Sequence, residues 1–142
     1  MKAYESVEAQ RRVDAQLPIM VRLDGRAFHS FTRGLQRPFD ARLTDCMVEA
    51  ARAAMLECGA AVAYTQSDEI TLVVLPAANL AASTPYNARV SKLCSLLAAV
   101  ASVSFNAALG ERIPSHAHKA RQPLRPTRPA HTHTHPASLI GT

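Results

Sequence analysis

Apolar and polar positions alternate in three stretches of the chain, and this pattern predicts three β-strands. The first stretch covers residues 19–24, ends on a carboxylate and is followed by a glycine, as a strand that runs into a tight turn does. Residues 61–66 and 69–75 are two further β-prone runs, separated only by Ser67 and Asp68. So short a connection predicts a β-hairpin with Asp68 at its tip.

Two longer segments have apolar residues at helical spacing. In the first, Asp40 is a suitable N-cap and Gly59 supplies a left-handed stop. Its buried stripe is predicted to be Leu43, Met47, Ala50, Ala54 and Cys58. In the second, Thr84 followed by Pro85 is typical of a helix start, and the helix should reach about Ala108. Its predicted stripe is Val90, Leu93, Leu97, Val100 and Ser104.

The predicted order of elements is therefore β-α-β-β-α, which belongs to the α+β class. A ferredoxin-like βαββαβ unit has one more strand, and no stretch after the second helix has the pattern of a strand. We therefore expect a ferredoxin-like domain whose closing strand is missing.

Composition divides the chain near Leu109. Residues 1–109 carry 11 basic and 10 acidic side chains, whereas residues 110–142 carry 5 basic and 1 acidic side chain and contain five of the nine prolines. Five of the six histidines also lie in the second part. Such a segment buries too little apolar surface to offset its ordering entropy. The sequence thus predicts a folded domain over 1–109 and a Pro/His/Arg-rich disordered tail over 110–142.

Length and composition also narrow the class of protein. A chain of 142 residues with 48% hydrophobic content suits one domain with its own core. No run approaches the ~20 consecutive apolar residues of a membrane span, and the first residues do not resemble a signal peptide. The three cysteines, Cys46, Cys58 and Cys94, are an odd number without the spacing of a zinc site, so we expect reduced thiols and a cytoplasmic protein.

Acidic residues at the strand ends are the first candidates for chemistry. If the first strand pairs with the hairpin, Asp24 comes together with Asp68 and Glu69. Carboxylates packed this closely repel one another unless they are protonated or neutralised, and hard divalent cations with oxygen ligands neutralise them. The alternative for each acid is an ordinary place in a polar turn.

Four segments resemble the signature segments of one family. Residues 21–31 (VRLDGRAFHSF) and 64–69 (YTQSDE) are similar to the metal-site segments of the histidine-tRNA guanylyltransferase family, which includes the Thg1-like 3′-to-5′ polymerases. Residues 88–93 (ARVSKL) and 37–40 (RPFD) resemble two more family segments. The resemblance covers about residues 14–108, in the family's order and spacing, and corresponds to the N-terminal palm portion.

This resemblance implies a polymerase-like palm that uses two Mg²⁺ ions, activates a tRNA 5′ end with GTP or ATP and adds a nucleotide in the 3′-to-5′ direction. It implies that Asp24, Asp68 and the carbonyl of Gly25 bind metal. Glu69 would support the metal site as the third catalytic acid. A carbonyl ligand is physically sensible at a glycine, because the backbone can approach an ion closely there.

Nucleotide-binding positions are implied in three places. The loop after the first strand would offer backbone N–H groups to a triphosphate, Ser67 would stand beside the metal acid, and two basic residues of the second helix would bind phosphate oxygens. These positions are Gly25, Arg26, Ala27, Phe28, His29, Ser67, Arg89 and Lys92. The alternatives are an ordinary loop, phenylalanines that belong to the core, and a solvated basic helix face.

The implied function is nucleotidyl transfer to tRNA 5′ ends, either guanylyl addition to tRNA-His or repair of truncated 5′ ends. Because the closing strand and further family segments are missing, we expect weak activity or none. Two alternatives remain open, a palm-type nucleotide cyclase and a noncatalytic RNA-binding or subunit-binding fragment. GTP or ATP and tRNA are the implied partners. Homo-oligomers are implied too, but the missing region builds part of the assembly surface, which argues against one for this chain.

Overall fold

The computed structural model describes residues 7, 9–76 and 84–120. Its elements follow the predicted β-α-β-β-α order, with two short helices added. They are β1 (Ile19–Asp24), α1 (Phe28–Phe31), α2 (Ala41–Cys58), β2 (Val62–Gln66), β3 (Glu69–Val74), a 3-10 turn (Pro85–Ala88), α3 (Val90–Arg112) and α4 (Pro114–Ala120).

The three strands form one antiparallel sheet in the order β1-β3-β2. The register places Asp24 opposite Glu69 on one side and Gln66 opposite Glu69 on the other. The end of β1 and the tip of the β2–β3 hairpin therefore lie at the same end of the sheet. The second edge of β1 is unpaired among the residues that the structure describes.

Helices α2 and α3 pack together and cover one face of this sheet. The strand side chains that face them are buried, as alternation predicts, and include Ile19, Val21, Ile70, Leu72 and Val74. The opposite face is open, with Met20, Val62 and Tyr64 more than half exposed. Helix α2 contributes Met47, Ala50, Ala54 and Cys58 to the core as predicted, while Leu43 is half-buried.

Asp40 is the N-cap of α2, as the sequence predicts. Its buried carboxylate accepts hydrogen bonds from the backbone N–H of Arg42 at 3.1 Å and of Gln36 at 3.2 Å. The Arg42 guanidinium also donates to it through Nε at 3.0 Å and Nη2 at 2.8 Å. The Arg42 side-chain hydrogen bonds hold the pKa of Asp40 well below its usual range, and the same pairing raises the pKa of Arg42.

We expect Asp40→Asn to lower the melting temperature by about 5 °C at neutral pH, because asparagine still caps the helix but loses the charged pairing. Since the folded-state pKa of Asp40 is depressed, its contribution is complete above about pH 4, the unfolded value, and is lost as the pH falls. Thermal melts of both proteins between pH 7 and pH 2 should therefore converge toward the acid end. A constant difference at all pH values would contradict this account.

Helix α3 begins later than predicted, at Val90 instead of Pro85. Tyr86, Asn87 and Ala88 have φ values between 53° and 55°, in the left-handed region, so a helix cannot run through them. Residues 11–13 hold this turn from outside, since Val13 N–H donates to the Ala88 carbonyl at 3.0 Å. The buried stripe of α3 is also shifted: Leu93 and Leu97 are buried as predicted, but they are followed by Ala101, Ala108 and Leu109.

The folded part of the chain extends beyond the predicted boundary at Leu109. Helix α3 continues to Arg112, and α4 follows from Pro114 to Ala120. A second small core forms there, in which Cys46, Ala108, Leu109 and Ile113 are buried. Disorder from Gly110 onward is therefore not what the structure shows for residues 110–120, because the i, i+4 spacing of buried residues continues into this segment. Residues 121–142 lie outside the described part.

Helix α3 is long and apolar enough, by length and composition alone, to cross a membrane. Lys92 and Glu111 enclose a stretch without charged residues, but its apolar residues are not consecutive, because serines and an asparagine interrupt them. In the structure, however, α3 packs its buried residues against α2 and β1, as the core helix of a globular domain does.

Candidate functional site

The end of β1 and the hairpin tip approach each other closely enough for a backbone hydrogen bond. The Gly25 N–H donates to the Asp68 carbonyl at 3.1 Å, directly beyond the paired residues Asp24 and Glu69. The three predicted acids thus lie at one end of the sheet, as the sequence predicts. Asp24 is exposed, whereas Asp68 and Glu69 are half-buried.

Glycine is required at position 25 by this close approach. A Cβ atom there would lie 2.7 Å from Cδ2 of Phe28 and 2.8 Å from Cβ of Asp68. Both distances are shorter than side-chain contacts in proteins allow, so any larger residue would push the loop and the hairpin apart. The backbone at Gly25 is therefore held against the Asp68 side chain.

We expect Gly25→Ala to destabilise the fold by about 1–3 kcal/mol, the usual cost of forcing extra atoms into a packed site. Gly110→Ala is a matched control, because nothing lies within 4 Å of a Cβ at Gly110, inside α3. Alanine should stabilise the helix there by roughly 0.5–1 kcal/mol. Urea unfolding of both variants measures the difference, and equal stability of the two would contradict the close approach at Gly25.

Short hydrogen bonds fix the hairpin tip and the neighbouring acids. Ser67 has a φ of 54°, as a tight two-residue turn requires, and its Oγ donates to Oδ1 of Asp68 at 3.0 Å. Thr65 Oγ1 donates to the Glu69 carbonyl at 2.9 Å. The Glu69 carboxylate pairs with Arg22 Nη2 at 2.5 Å. Ser67 and Glu69 thus lie at the site where the sequence predicts them, and the Glu69 carboxylate is paired with the Arg22 guanidinium.

The donor set at this end of the sheet fits a hard cation such as Mg²⁺, because it offers carboxylate and carbonyl oxygens. Because Gly25 has no Cβ atom, its backbone can lie directly against the Asp68 side chain. Among the described residues, no three His, Cys, Asp or Glu side chains form a preassembled metal cluster. A metal here would depend on Asp24, Asp68 and backbone oxygen together, not on three side chains.

The loop after β1 carries the predicted nucleotide-binding residues. Ala27 has a φ of 56°, and the short helix α1 begins immediately after it. In the part of the chain that the structure describes, no hydrogen bond uses the backbone N–H groups of residues 26–29. Arg26 and His29 are exposed. The loop therefore has free donors that an anionic ligand can use.

Phe28 and Phe31 belong to an aromatic cluster with Phe105 of α3. Their ring centroids are 5.4 Å apart, and they lie 5.8 Å and 5.9 Å from that of Phe105. These are normal distances for packed aromatic pairs. This agrees with the alternative given to both residues from the sequence, that they are core side chains.

Two clefts meet at Asp68 and Phe28. The helix cleft, of about 810 Å³, lies between the loop, α2 and α3 and is lined by Asp24, Arg26, Asp68, Ser102, Phe105 and Asn106 among others. The loop cleft, of about 860 Å³, lies between the hairpin tip and residues 28–40, with His29, Arg37, Phe39, Asp40, Thr65 and Ser67 in its lining. Either cleft has room for a nucleotide beside the acids.

Arg89 and Lys92 are not brought to these clefts. Arg89 is the N-cap of α3 and pairs through its backbone with Arg12, and Lys92 lies in the first turn. The α3 residues in the helix cleft begin at Ala98. Ala98, six residues after Lys92, is about 9 Å further along the helix at 1.5 Å per residue. Triphosphate binding by Arg89 and Lys92 thus stays a prediction from the resemblance.

Sequence reasoning missed a group of residues in α4. His116 is buried and packs against Phe31, and Lys119 donates a hydrogen bond to the Arg33 carbonyl. The spacing of Leu109, Ile113 and Ala117 at i, i+4 continues the α3 pattern and could have revealed this helix. The helix was missed because prolines, histidines and basic residues in this part of the sequence predict disorder.

A known protein family matches most of this chain. A family model of Thg1, the tRNAHis guanylyltransferases, matches residues 1–131. The chain belongs to the tRNA(His) guanylyltransferase family. The match extends past residue 108, where the sequence resemblance was expected to stop, and it includes α4.

The chain is also similar to individual proteins. An uncharacterized protein of Acanthamoeba polyphaga mimivirus is 36% identical over 112 residues, which are 75% of this chain and 38% of that protein. The tRNA(His) guanylyltransferase of Schizosaccharomyces pombe is 37% identical over 98 residues, or 65% of this chain and 36% of that enzyme. The chain therefore spans less than two fifths of the length of these relatives.

Similarity to solved structures confirms the predicted α+β palm fold, whose sheet has three strands in the described residues. A bacterial Thg1-like protein in complex with GTP has a TM-score of 0.76 and 30% identity, with 82% of this chain and 55% of that chain covered. The same kind of protein in complex with ATP has a TM-score of 0.75 at 30% identity and covers 80% and 51%. Family membership disfavours the cyclase alternative.

Proposed function

We propose that this chain is the nucleotide-binding palm portion of a tRNA 5′-end nucleotidyltransferase. The observation that carries the proposal is the contact of Gly25 with Asp68, because it unites the two family segments at one point. A relative named tRNA(His) guanylyltransferase and neighbours solved with GTP and with ATP support the choice of nucleoside triphosphate and tRNA. Guanylyl addition to tRNA-His and repair of 5′ ends both fit this site.

In this proposal, Asp24, Asp68 and the Gly25 carbonyl hold Mg²⁺, with two ions at the full site. When bound, the metal would neutralise phosphate charge and so favour attack of the tRNA 5′ phosphate on the α-phosphate of the triphosphate, with departure of pyrophosphate. Glu69 supports the site from its pairing with Arg22, which balances one of the three adjacent negative charges.

The loop binds and orients the triphosphate. The free N–H groups of residues 26–29 donate to phosphate oxygens, and the exposed side chains of Arg26 and His29 can reach the same charge. Ser67 keeps Oδ1 of Asp68 in place through its hydrogen bond. Together, the loop and Asp68 would position a nucleotide where the two clefts meet.

We also propose a cytoplasmic location for this activity. All three cysteines are free, with Cys46 and Cys58 buried and Cys94 exposed. Burial raises the pKa of the Cys46 and Cys58 thiols, so they stay protonated and unreactive. Free thiols fit a reducing compartment.

The proposal is tested by titrating the 142-residue chain with GTP and with ATP, with and without Mg²⁺, and by offering it a radiolabelled triphosphate and a tRNA transcript. We expect weak binding that requires Mg²⁺ and very slow or undetectable transfer. Equal affinity with and without Mg²⁺ would contradict the metal site.

A noncatalytic RNA-binding or subunit-binding role is the second candidate function. Metal-dependent binding without any transfer, even at high protein and tRNA concentration, would favour that candidate. Nucleotide addition by the purified chain would exclude it. Assembly with a second copy is a further outcome that sedimentation of the same sample would reveal.

A further inference from the structure

The nucleotide-binding loop follows β1 and runs from Gly25 to Arg33. Side chains of α4 contact the carbonyl oxygen of Arg33. Lys119 Nζ donates to this oxygen at 3.0 Å, and His116 Nε2 lies 3.3 Å from it. The two nitrogens are 3.1 Å apart. The Lys119 ammonium can only donate, so His116 Nε2 either donates to the carbonyl or accepts from Lys119, according to its tautomer; in both arrangements the three groups meet at the Arg33 carbonyl.

His116 is rigidly placed for this contact. It is 7% exposed, its ring meets Phe31 edge-on with centroids 5.8 Å apart, and Ser115 Oγ lies 3.3 Å from its Nδ1. Phe31 packs on Phe28, and the Phe28 ring occupies the space next to Gly25. Packing contacts therefore run without a gap from His116 to the glycine beside the acids.

Few hydrogen bonds hold the backbone of the loop itself. Its internal backbone hydrogen bonds run to the carbonyls of Ala27, Phe28 and Thr32. Ala27 is in the left-handed region, a conformation that is costly for any residue except glycine and persists only when the surroundings enforce it. Contacts from outside the loop, including those from α4 to the Arg33 carbonyl, therefore enforce this shape.

We propose that α4 is a latch for the nucleotide-binding loop, with His116 and Lys119 as its positioning residues. They act through the Arg33 carbonyl and Phe31, and Lys119 also lines the helix cleft, so loop exchange measured without nucleotide separates its hold on the loop from any direct contact with phosphate. A loop that is already ordered pays less conformational entropy when a triphosphate binds. The inference rests on the proposed function, because triphosphate binding by the loop belongs to that proposal.

The test uses the full chain with paired variants. His116→Leu and Lys119→Met remove the polar contacts but keep apolar bulk, whereas His116→Gln and Lys119→Arg retain a donor. Arg52→Met on α2 is the control, since Arg52 is an exposed basic residue whose nearest acid, Glu49, is 3.9 Å away on the same helix. Amide hydrogen exchange without nucleotide and GTP affinity with Mg²⁺ are both measured.

We expect the double variant His116→Leu, Lys119→Met to speed amide exchange of Ser30, Phe31 and Thr32 by about tenfold, the factor associated with one hydrogen bond from a charged group. Exchange in β3 should not change. GTP affinity should fall by a similar factor, and the donor-retaining variants should restore both values. If His116→Leu fails to fold, Lys119→Met and Lys119→Arg are compared by the same two measurements, because Lys119 is exposed.

Three results would overturn the latch. Loop exchange that stays unchanged shows that α4 does not hold the loop, and equally faster exchange in β3 shows a general stabilising role. Faster loop exchange with unchanged GTP affinity shows that the contact does not serve binding. By contrast, a wild-type chain that binds no GTP contradicts the proposed function, and with it the positioning role. In that case the exchange data still establish whether α4 orders the loop.

Discussion

Replacing Asp68 with asparagine should abolish the Mg²⁺-dependent part of nucleoside triphosphate binding, a loss of about 100-fold or more in affinity. Changes to groups that only support a metal ligand cost about 10–100-fold, so removal of a ligand should cost at least as much. Asparagine keeps the size of the side chain and can still accept the Ser67 hydrogen bond, so the hairpin tip should stay folded. Calorimetric titration with GTP, with and without Mg²⁺, measures the effect.

The matched control is Asp45→Asn. Asp45 lies on α2 with an exposed side chain, and its contact with Arg112 is at 4.0 Å, the outer limit of an ion pair. Its replacement removes the same charge without touching the site, so affinity and metal dependence should be unchanged. If Asp68→Asn retains the metal dependence of the wild-type chain, Asp68 is not a ligand and the proposed site is wrong.

Replacing Ile113 with alanine should destabilise the domain by about 2–5 kcal/mol, the usual cost of truncating a fully buried aliphatic side chain. Ile113 is 2% exposed and lies between α3 and α4, in the small core that also contains Cys46 and Leu109. Because small domains are stable by only about 5–15 kcal/mol, such a loss should be obvious in urea unfolding.

Val103→Ala serves as the comparison for that experiment. Val103 lies on α3, which ends one residue before Ile113, but it is 71% exposed, so its truncation should stay within about 0.5 kcal/mol of the wild-type stability. If Ile113→Ala were equally mild, residues beyond Leu109 would contribute nothing to the fold, and the domain boundary expected from composition would be restored.

Local signals in the sequence were sufficient for several elements. The ends of α2 follow from Asp40 and Gly59, whose capping preferences depend on their own side chain or backbone. The hairpin follows from the two residues between its strands, since so short a connection admits few turn types. These features depend on neighbours in the chain, and they were predicted correctly.

Contacts between distant segments explain the errors. The start of α3 was placed too early because Tyr86 and its neighbours are held in left-handed conformations by residues 11–13, which no local pattern shows. Helix α4 was missed because prolines, histidines and positive charge outweighed a short apolar spacing. Its stability comes from Ile113 docking near Cys46, more than sixty residues earlier in the chain.

Sequence alone determined the order of the elements, the family and the identities of the acidic residues. Only the tertiary structure decided that Gly25 lies against Asp68, that Arg89 and Lys92 lie along α3 away from the clefts, and that α4 reaches the Arg33 carbonyl. The physical reason is that dihedral preferences and hydrophobic periodicity are local properties. Which surfaces meet is settled by the packing of whole helices and strands against one another.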